Sequence, residues 1–249
     1  MFPKRTLKYV ALLDFRMKYL LLLSLILVAG CFSEQSNYQA QEIKKTNMEN
    51  QTGEKLVQQK IVLVSLGDSY SFGEGAGPNQ SWPFLLASDL RSAGYEVELV
   101  NPAVSGFTTV DVIENELPVL QETKPALVTL LIGANDLAQG MDRDAFRSNF
   151  SFILESIDPG SKIVVMTIPD FSSAEVLWDY HPPKIRAAIE SFNSIIVNEA
   201  KKRNATVVDL FSLNMTRDMF SSDGFHPSAK GYAFWNSQIS PVVVDLIRQ

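Results

Sequence analysis

From Ile61 onward, short apolar runs alternate with segments whose apolar residues recur every three or four positions. "IVLVSLG" (61–67) is a strand-like run, followed by Trp82, Leu86 and Leu90 on one helical face, with Ser81 as N-cap and Gly94 as stop. "YEVELVN" (95–101) alternates apolar and acidic residues like an edge strand, and Val110, Ile113, Leu117 and Leu120 predict a second helix despite Pro118. "ALVTLLIG" (126–133) is apolar almost throughout, as expected of a central parallel strand covered on both faces. A helix through Phe146, Phe150, Ile153, Leu154 and Ile157 leads to the strand "KIVVMTIP" (162–169). After a long connection come a helix carrying Ile185, Ile189, Phe192 and Ile196, the strand "ATVVDLF" (205–211), and a helix from Pro227 to the end with a kink or break near Pro241. Five strands separated by helices predict an α/β chain: a three-layer α/β/α sandwich around a five-stranded parallel sheet. Ligands in such sheets sit beyond the carboxyl ends of the strands.

The residues before Ile61 follow another logic. "MKYLLLLSLILVAGC" (17–31) places Lys18 before about a dozen apolar residues and ends in small ones, too short to span a bilayer comfortably and patterned like a secretory signal. Its ending, Val28-Ala29-Gly30-Cys31, resembles the lipobox of bacterial lipoproteins, which implies acylation of Cys31 and display on the outer side of the cell membrane. Cys31 is the only cysteine, so no intramolecular disulfide is available. An ordinary signal peptide with an incidental cysteine, or an uncleaved anchor, are the alternatives, and Met17 is an alternative start to Met1. Residues 32–60 are rich in Gln, Glu, Asn, Lys and Ser and read as a tether. The organisation expected is therefore a lipoprotein signal over 1–30, a tether over 31–60 and one domain over 61–249.

A net charge of −6 in 249 residues leaves no electrostatic case for nucleic acid as a partner. Gly73-x-Gly75-x-Gly77 is neither the dinucleotide fingerprint nor a P-loop. The polar residues at the strand ends are more informative. They are Gly67-Asp68-Ser69-Tyr70-Ser71 after the first strand, Asn101-Pro102-Ala103-Val104-Ser105-Gly106 after the second, Gly133-Ala134-Asn135-Asp136 after the third, and Asp223-Gly224-Phe225-His226-Pro227 after the fifth.

A serine hydroxyl becomes a nucleophile when an imidazole accepts its proton and a carboxylate orients that imidazole. The chain has two histidines, and His226 follows Asp223 by three residues in a turn, so the carboxylate can reach Nδ1 while Nε2 faces Ser69. The N–H groups of Ser69 and Gly106 and the amide of Asn135 would supply an oxyanion hole. Each residue also has an ordinary reading. Ser69 is a turn residue, Gly106 and Gly133 meet backbone geometry, Asn135 caps a helix, and His226-Pro227 opens the last helix. His181, in "WDYHPPK", reads as a loop residue or substrate-side contact.

Taken together, "GDSYSFGEG", "NPAVSGFTT", "GAND" and "DGFHPS" resemble, in order, the four blocks of the SGNH (GDSL-type) hydrolase superfamily. Tyr70 stands where many members carry leucine. The resemblance implies a flavodoxin-like fold, hydrolysis of an ester or thioester through an acyl-serine, and no metal or organic cofactor. Its implied assignments are Ser69, Asp223 and His226 as catalytic residues and Ser69, Gly106 and Asn135 as the oxyanion hole. Two ester substrates fit that chemistry: lipid or lysophospholipid acyl chains, suited to a membrane-anchored enzyme, and acetyl groups on carbohydrate. A non-catalytic surface binding module on the same fold is the alternative from another class. The stretch from Asp170 to Lys184, with Phe171, Leu177, Trp178 and Tyr180, is expected to line or cover an acyl pocket.

Overall fold

The computed structural model describes residues 60–172, 174 and 181–249. The leader, Met17, Cys31 and the tether lie outside these residues except for Lys60, as do Leu177, Trp178 and Tyr180 of the long connection. The fold is a five-stranded parallel sheet between two helical layers, in the order β2-β1-β3-β4-β5. The strands are β1 (Lys60–Gly67), β2 (Glu96–Val100), β3 (Leu127–Leu131), β4 (Lys162–Met166) and β5 (Thr206–Val208).

Burial follows position in the sheet. All five residues of central β3 are buried, whereas edge strand β2 alternates exposed Glu96 and Glu98 with buried Val97. A strand covered on both faces has no polar face to present, and an edge strand half in solvent does. The helices are α1 (Ser69–Phe72), α2 (Trp82–Ser92), α3 (Thr109–Asp111), α4 (Leu117–Thr123), α5 (Ala134–Ala138), α6 (Arg143–Glu155), α7 (Pro182–Lys202) and α8 (Ala229–Arg248). α2 and α8 pack together on one face of the sheet; the run from α3 to α4, α6 and α7 form the other layer. Trp82, Leu86 and Leu90 are fully buried, and α2 stops before Gly94 at φ +98°, as its spacing predicts.

Three local expectations shift. The second helix is not a simple α-helix: between α3 and α4 lies a π-helical segment, Val112–Glu116, in which the Leu117 N–H bonds the Val112 carbonyl five residues back. Pro118 has no N–H to give and its ring crowds the preceding turn, so a widened turn directly before it relieves both. The buried face carries Val112, Glu116 and Leu120, and Val110 is exposed. Second, the last helix begins at Ala229 with Ser228 as its cap, so Pro227 precedes the helix and is not its first residue. Third, α8 runs through Pro241 without a break. Pro241 lies on the exposed side while Ile239 and Val243 stay fully buried, so packing holds the helix across the missing hydrogen bond.

α8 comes closest to its surroundings at Gly231, where an added Cβ would lie 2.1 Å from the Met219 carbonyl oxygen and 2.8 Å from Pro227 Cβ. Helix propensity alone favours alanine there by about 1 kcal/mol. Overpacking against backbone costs about 1–3 kcal/mol and decides the sign. Gly231→Ala is therefore expected to lower the unfolding free energy in urea titration; a gain in stability would mean the Met219 segment yields freely.

Candidate active site

All the strand-end residues singled out by sequence lie along the carboxyl edge of the sheet. β1 and β3 are adjacent strands whose connections leave on opposite faces, which makes their ends the topological switch point of the fold. Ser69 opens α1 directly after β1, with Asp68 as its N-cap: Oδ1 accepts the Tyr70 N–H at 3.0 Å. Asn135 sits in α5 after β3, Gly106 (φ +89°) in the turn after β2, and Asp223 and His226 in the loop before α8.

The structure brings Ser69, His226 and Asp223 into one line. His226 Nε2 is 2.9 Å from Ser69 Oγ, and Nδ1 is 2.7 Å from Asp223 Oδ2. The other carboxylate oxygen, Oδ1, accepts from Ser221 Oγ at 2.6 Å and from the N–H groups of Phe225 and His226 at 2.8 and 2.9 Å. Partial burial works to raise the Asp223 pKa, but the bonds from His226, Ser221 and the two backbone N–H groups outweigh it and hold the group well below the usual carboxylate range. An ionised acceptor at Nδ1 favours the tautomer that leaves Nε2 free to take the serine proton.

The oxyanion-hole candidates lie around this line. Asn135 Nδ2 donates to the Phe107 carbonyl at 2.9 Å, and since that carbonyl can only accept, the amide orientation is fixed. Among the described residues neither the Ser69 nor the Gly106 N–H makes a backbone hydrogen bond outside the helices and strands. Asp136, next to Asn135, accepts from the Thr109 N–H at 3.0 Å and its hydroxyl at 2.5 Å, tying the Asn135 segment to the helix after the Gly106 turn. Gly133 is geometric, as expected: at φ +122° an added Cβ would lie 2.9 Å from Ile168 Cδ1.

The glycine-rich loop after α1 also acquires a steric reason. At Gly75 (φ +86°) an added Cβ would lie 2.8 Å from both the Pro227 carbonyl oxygen and Ser221 Cβ, so the loop can approach the segment that carries His226. Tyr70 packs its ring against Phe225, His226 and Trp235, with centroids 5.5 to 5.9 Å apart. It also lines a cavity of about 140 Å³ together with Phe171, Leu213, Asn214, Phe225 and Trp235. His181 stands apart, exposed, at the N-cap of α7 with φ +56°.

Sequence reasoning missed Glu116. It stands three residues after Ile113 and four before Leu120, beside the predicted apolar face, and it is fully buried with Oε2 accepting the Gly67 N–H at 2.8 Å. The available signal was that spacing, which sets an acid among apolar residues of one helical face. Burial pushes the Glu116 pKa up from 4.5 to about 8, against the lowering effect of the Gly67 N–H and aided by Asp68 and Asp111. Burial likewise pushes Asp68 from 3.8 to about 7, with the Tyr70 N–H opposing it and Asp136 adding to it.

A family model described as the GDSL-like Lipase/Acylhydrolase family matches residues 65–234. Esterase TesA of Pseudomonas aeruginosa is 28% identical over 169 residues, covering 67% of this chain and 79% of that protein. Thioesterase 1/protease 1/lysophospholipase L1 of Escherichia coli strain K12 is 24% identical over 187 residues, 73% of this chain and 84% of that protein. A crystal structure of TesA superposes with a TM-score of 0.61 at 27% identity, covering 72% of this chain and 96% of the other.

The raised acids set the pH dependence of stability. Asp68 and Glu116 keep their protons in the folded chain to about pH 7 and 8 but release them near 3.8 and 4.5 when unfolded. Between those limits the folded state holds more protons, so stability falls as pH rises, by an amount on the order of several kcal/mol. Asp223 acts with the opposite sign, its contribution fading only as pH drops below 3.8, outside this window. Urea titrations from pH 5 to pH 8.5 are expected to show declining stability, with a shallower slope in Asp68→Asn; a flat or rising wild-type profile would contradict the assignment.

Proposed function

The chain belongs to the GDSL-like lipase/acylhydrolase family, and we propose that it hydrolyses carboxylic esters or thioesters through an acyl-serine intermediate on Ser69. The observation that carries this reading is the alignment of Asp223, His226 and Ser69 through contacts of 2.7 and 2.9 Å. Ser69 Oγ attacks the acyl carbonyl carbon while His226 Nε2 takes its proton, and Asp223 stabilises the imidazolium. The oxyanion is held by the N–H groups of Ser69 and Gly106 and by Asn135. Collapse expels the alcohol or thiol, which receives the proton from His226, and water repeats the sequence to free the acid.

For the acyl group, a lysophospholipase-like or acyl thioester substrate is supported by the similarity to the esterase and thioesterase/lysophospholipase relatives. Display on the outer face of the cell membrane would put such an enzyme beside its substrate, and the lipobox-like Val28-Ala29-Gly30-Cys31 supports that placement through acylation of Cys31. Carbohydrate O-acetyl esters are the second reading.

Hydrolysis of p-nitrophenyl acetate and octanoate by the detergent-purified full chain tests both points. Wild type is expected to turn over, and Ser69→Ala to fall to background. Asn135→Ala should lose roughly a hundredfold or more in kcat, the usual effect of removing one oxyanion donor. Octanoate preferred over acetate supports the lipid reading and the reverse supports the acetyl one. No turnover and no fluorophosphonate labelling of the wild type would remove the hydrolase proposal in favour of a binding module. For the anchor, metabolic labelling with palmitate is expected to mark the wild-type chain and not Cys31→Ser; equal labelling of both would rule out Cys31 as the acylated residue.

A further inference from the structure

Gly67 is the last residue of β1 and the first of the turn that carries Ser69. Successive residues of a parallel strand address their backbone groups to opposite neighbours. The Val62 carbonyl accepts from the Ala126 N–H on the β3 side, so Val64 and Leu66 also face β3, while Ser65 and Gly67 face β2. β2, however, ends at Val100, whose register partner is Val64. The Gly67 N–H therefore points to a side where the sheet has already run out, in a buried place where an unpaired donor costs about 1–3 kcal/mol.

Glu116 fills that position. Its Oε2, 2.8 Å from the Gly67 nitrogen, stands where the carbonyl of a longer β2 would be. The side chain projects from the last residue of the π-helical segment, on the face shared with buried Val112 and Leu120, and single π turns recur at functional sites. A leucine would fill the same apolar space without the cost of burying an acid, but it would leave the N–H unpaired. The segment that carries Glu116 continues from the Gly106 turn by way of Thr109, which is itself bonded to Asp136 beside Asn135. One carboxyl thus joins the Ser69 turn to the stretch of chain that carries a second oxyanion-hole candidate and is fastened to the third.

We propose that Glu116 is a positioning residue for the reaction at Ser69: by holding the Gly67 N–H it fixes the peptide before Asp68, and with it the direction of the Ser69 N–H and Oγ relative to Gly106 and Asn135. The inference rests on the acyl-serine reading above. It differs from a purely structural role in what it predicts for the folded protein. A structural plug would change stability and leave the kcat of folded molecules unaltered. A positioning residue changes kcat while substrate binding persists, because misplacing a reacting group by about 1 Å costs on the order of a hundredfold.

The experiment compares wild type, Glu116→Gln, Glu116→Asp and Glu116→Leu as detergent-purified full chains, with p-nitrophenyl acetate well below each protein's thermal transition. Glutamine keeps an accepting oxygen at the right reach and is expected to stay within about threefold of wild-type kcat. Aspartate is one methylene too short and leucine has no acceptor, so both should lose about tenfold to a hundredfold in kcat with KM changed less than twofold. The phosphonylation rate of Ser69 should fall in parallel. Wild-type kcat in folded Glu116→Asp or Glu116→Leu, or losses equal to theirs in Glu116→Gln, would overturn the proposal, as would an effect confined to KM. If Glu116→Leu does not fold, Glu116→Asp decides alone. Inactive wild type would instead defeat the acyl-serine reading itself, so the two failures are distinguishable.

Discussion

The contact on which the rest of the site depends is the 2.9 Å approach of His226 Nε2 to Ser69 Oγ, between residues 157 positions apart in the chain. Nothing local holds it, because Ser69 belongs to the end of β1 and His226 to a loop that enters α8. Its ordering entropy must be met by packing on both sides. The Tyr70 ring supplies part of this by touching Phe225, His226 and Trp235 at once. Tyr232 of α8 supplies more, its hydroxyl donating to the Glu74 carbonyl at 2.8 Å just after α1. Tyrosine at position 70, where a leucine would be a smaller apolar filler, thus clamps the Ser69 turn to the His226 loop.

Carboxyl groups around Ser69 are sorted by their surroundings. Asp223, partly exposed and accepting from an imidazole, a hydroxyl and two N–H groups, stays ionised. Asp68, Glu116 and Asp136 are buried, and burial raises all three. Divergent environments of this kind let chemically similar groups take different parts. The one carboxylate held strongly in its charged form is the one beside the imidazole, where a positive charge would develop.

Much of this architecture was legible in the sequence because its physical basis is local. The full burial of Leu127–Leu131 follows from an apolar run interrupted only by Thr129, and the alternation of Glu96, Val97 and Glu98 from an edge strand with one wet face. Asp223 and His226 were legible because three residues of separation in a turn let a carboxylate meet an imidazole. Glu116 was not, because an acid gives no sign of burial by its type, and its partner, the Gly67 N–H, lies 49 residues away in the chain. The start of α8 was misplaced for a related reason. Pro227 suits a first helical turn by its own φ, but the Phe220–Pro227 bridge and the Ser228 N–H bond to Met219 keep it extended until Ser228 caps the helix.

Glu116 and the shortness of β2 are two aspects of one constraint. If β2 continued to pair beyond Val100, its carbonyls would satisfy Gly67, but the chain could not then turn through Gly106 directly after the strand. Ending the strand early frees the turn and strands a donor at the most sensitive point of β1. A side chain can replace a strand carbonyl there only if it brings an acceptor from the helical layer, and residue 116 does so from the face it shares with buried Val112 and Leu120. The buried acid and the truncated edge strand therefore belong together, and a leucine at 116 would leave the Gly67 N–H that the short strand exposes without its acceptor.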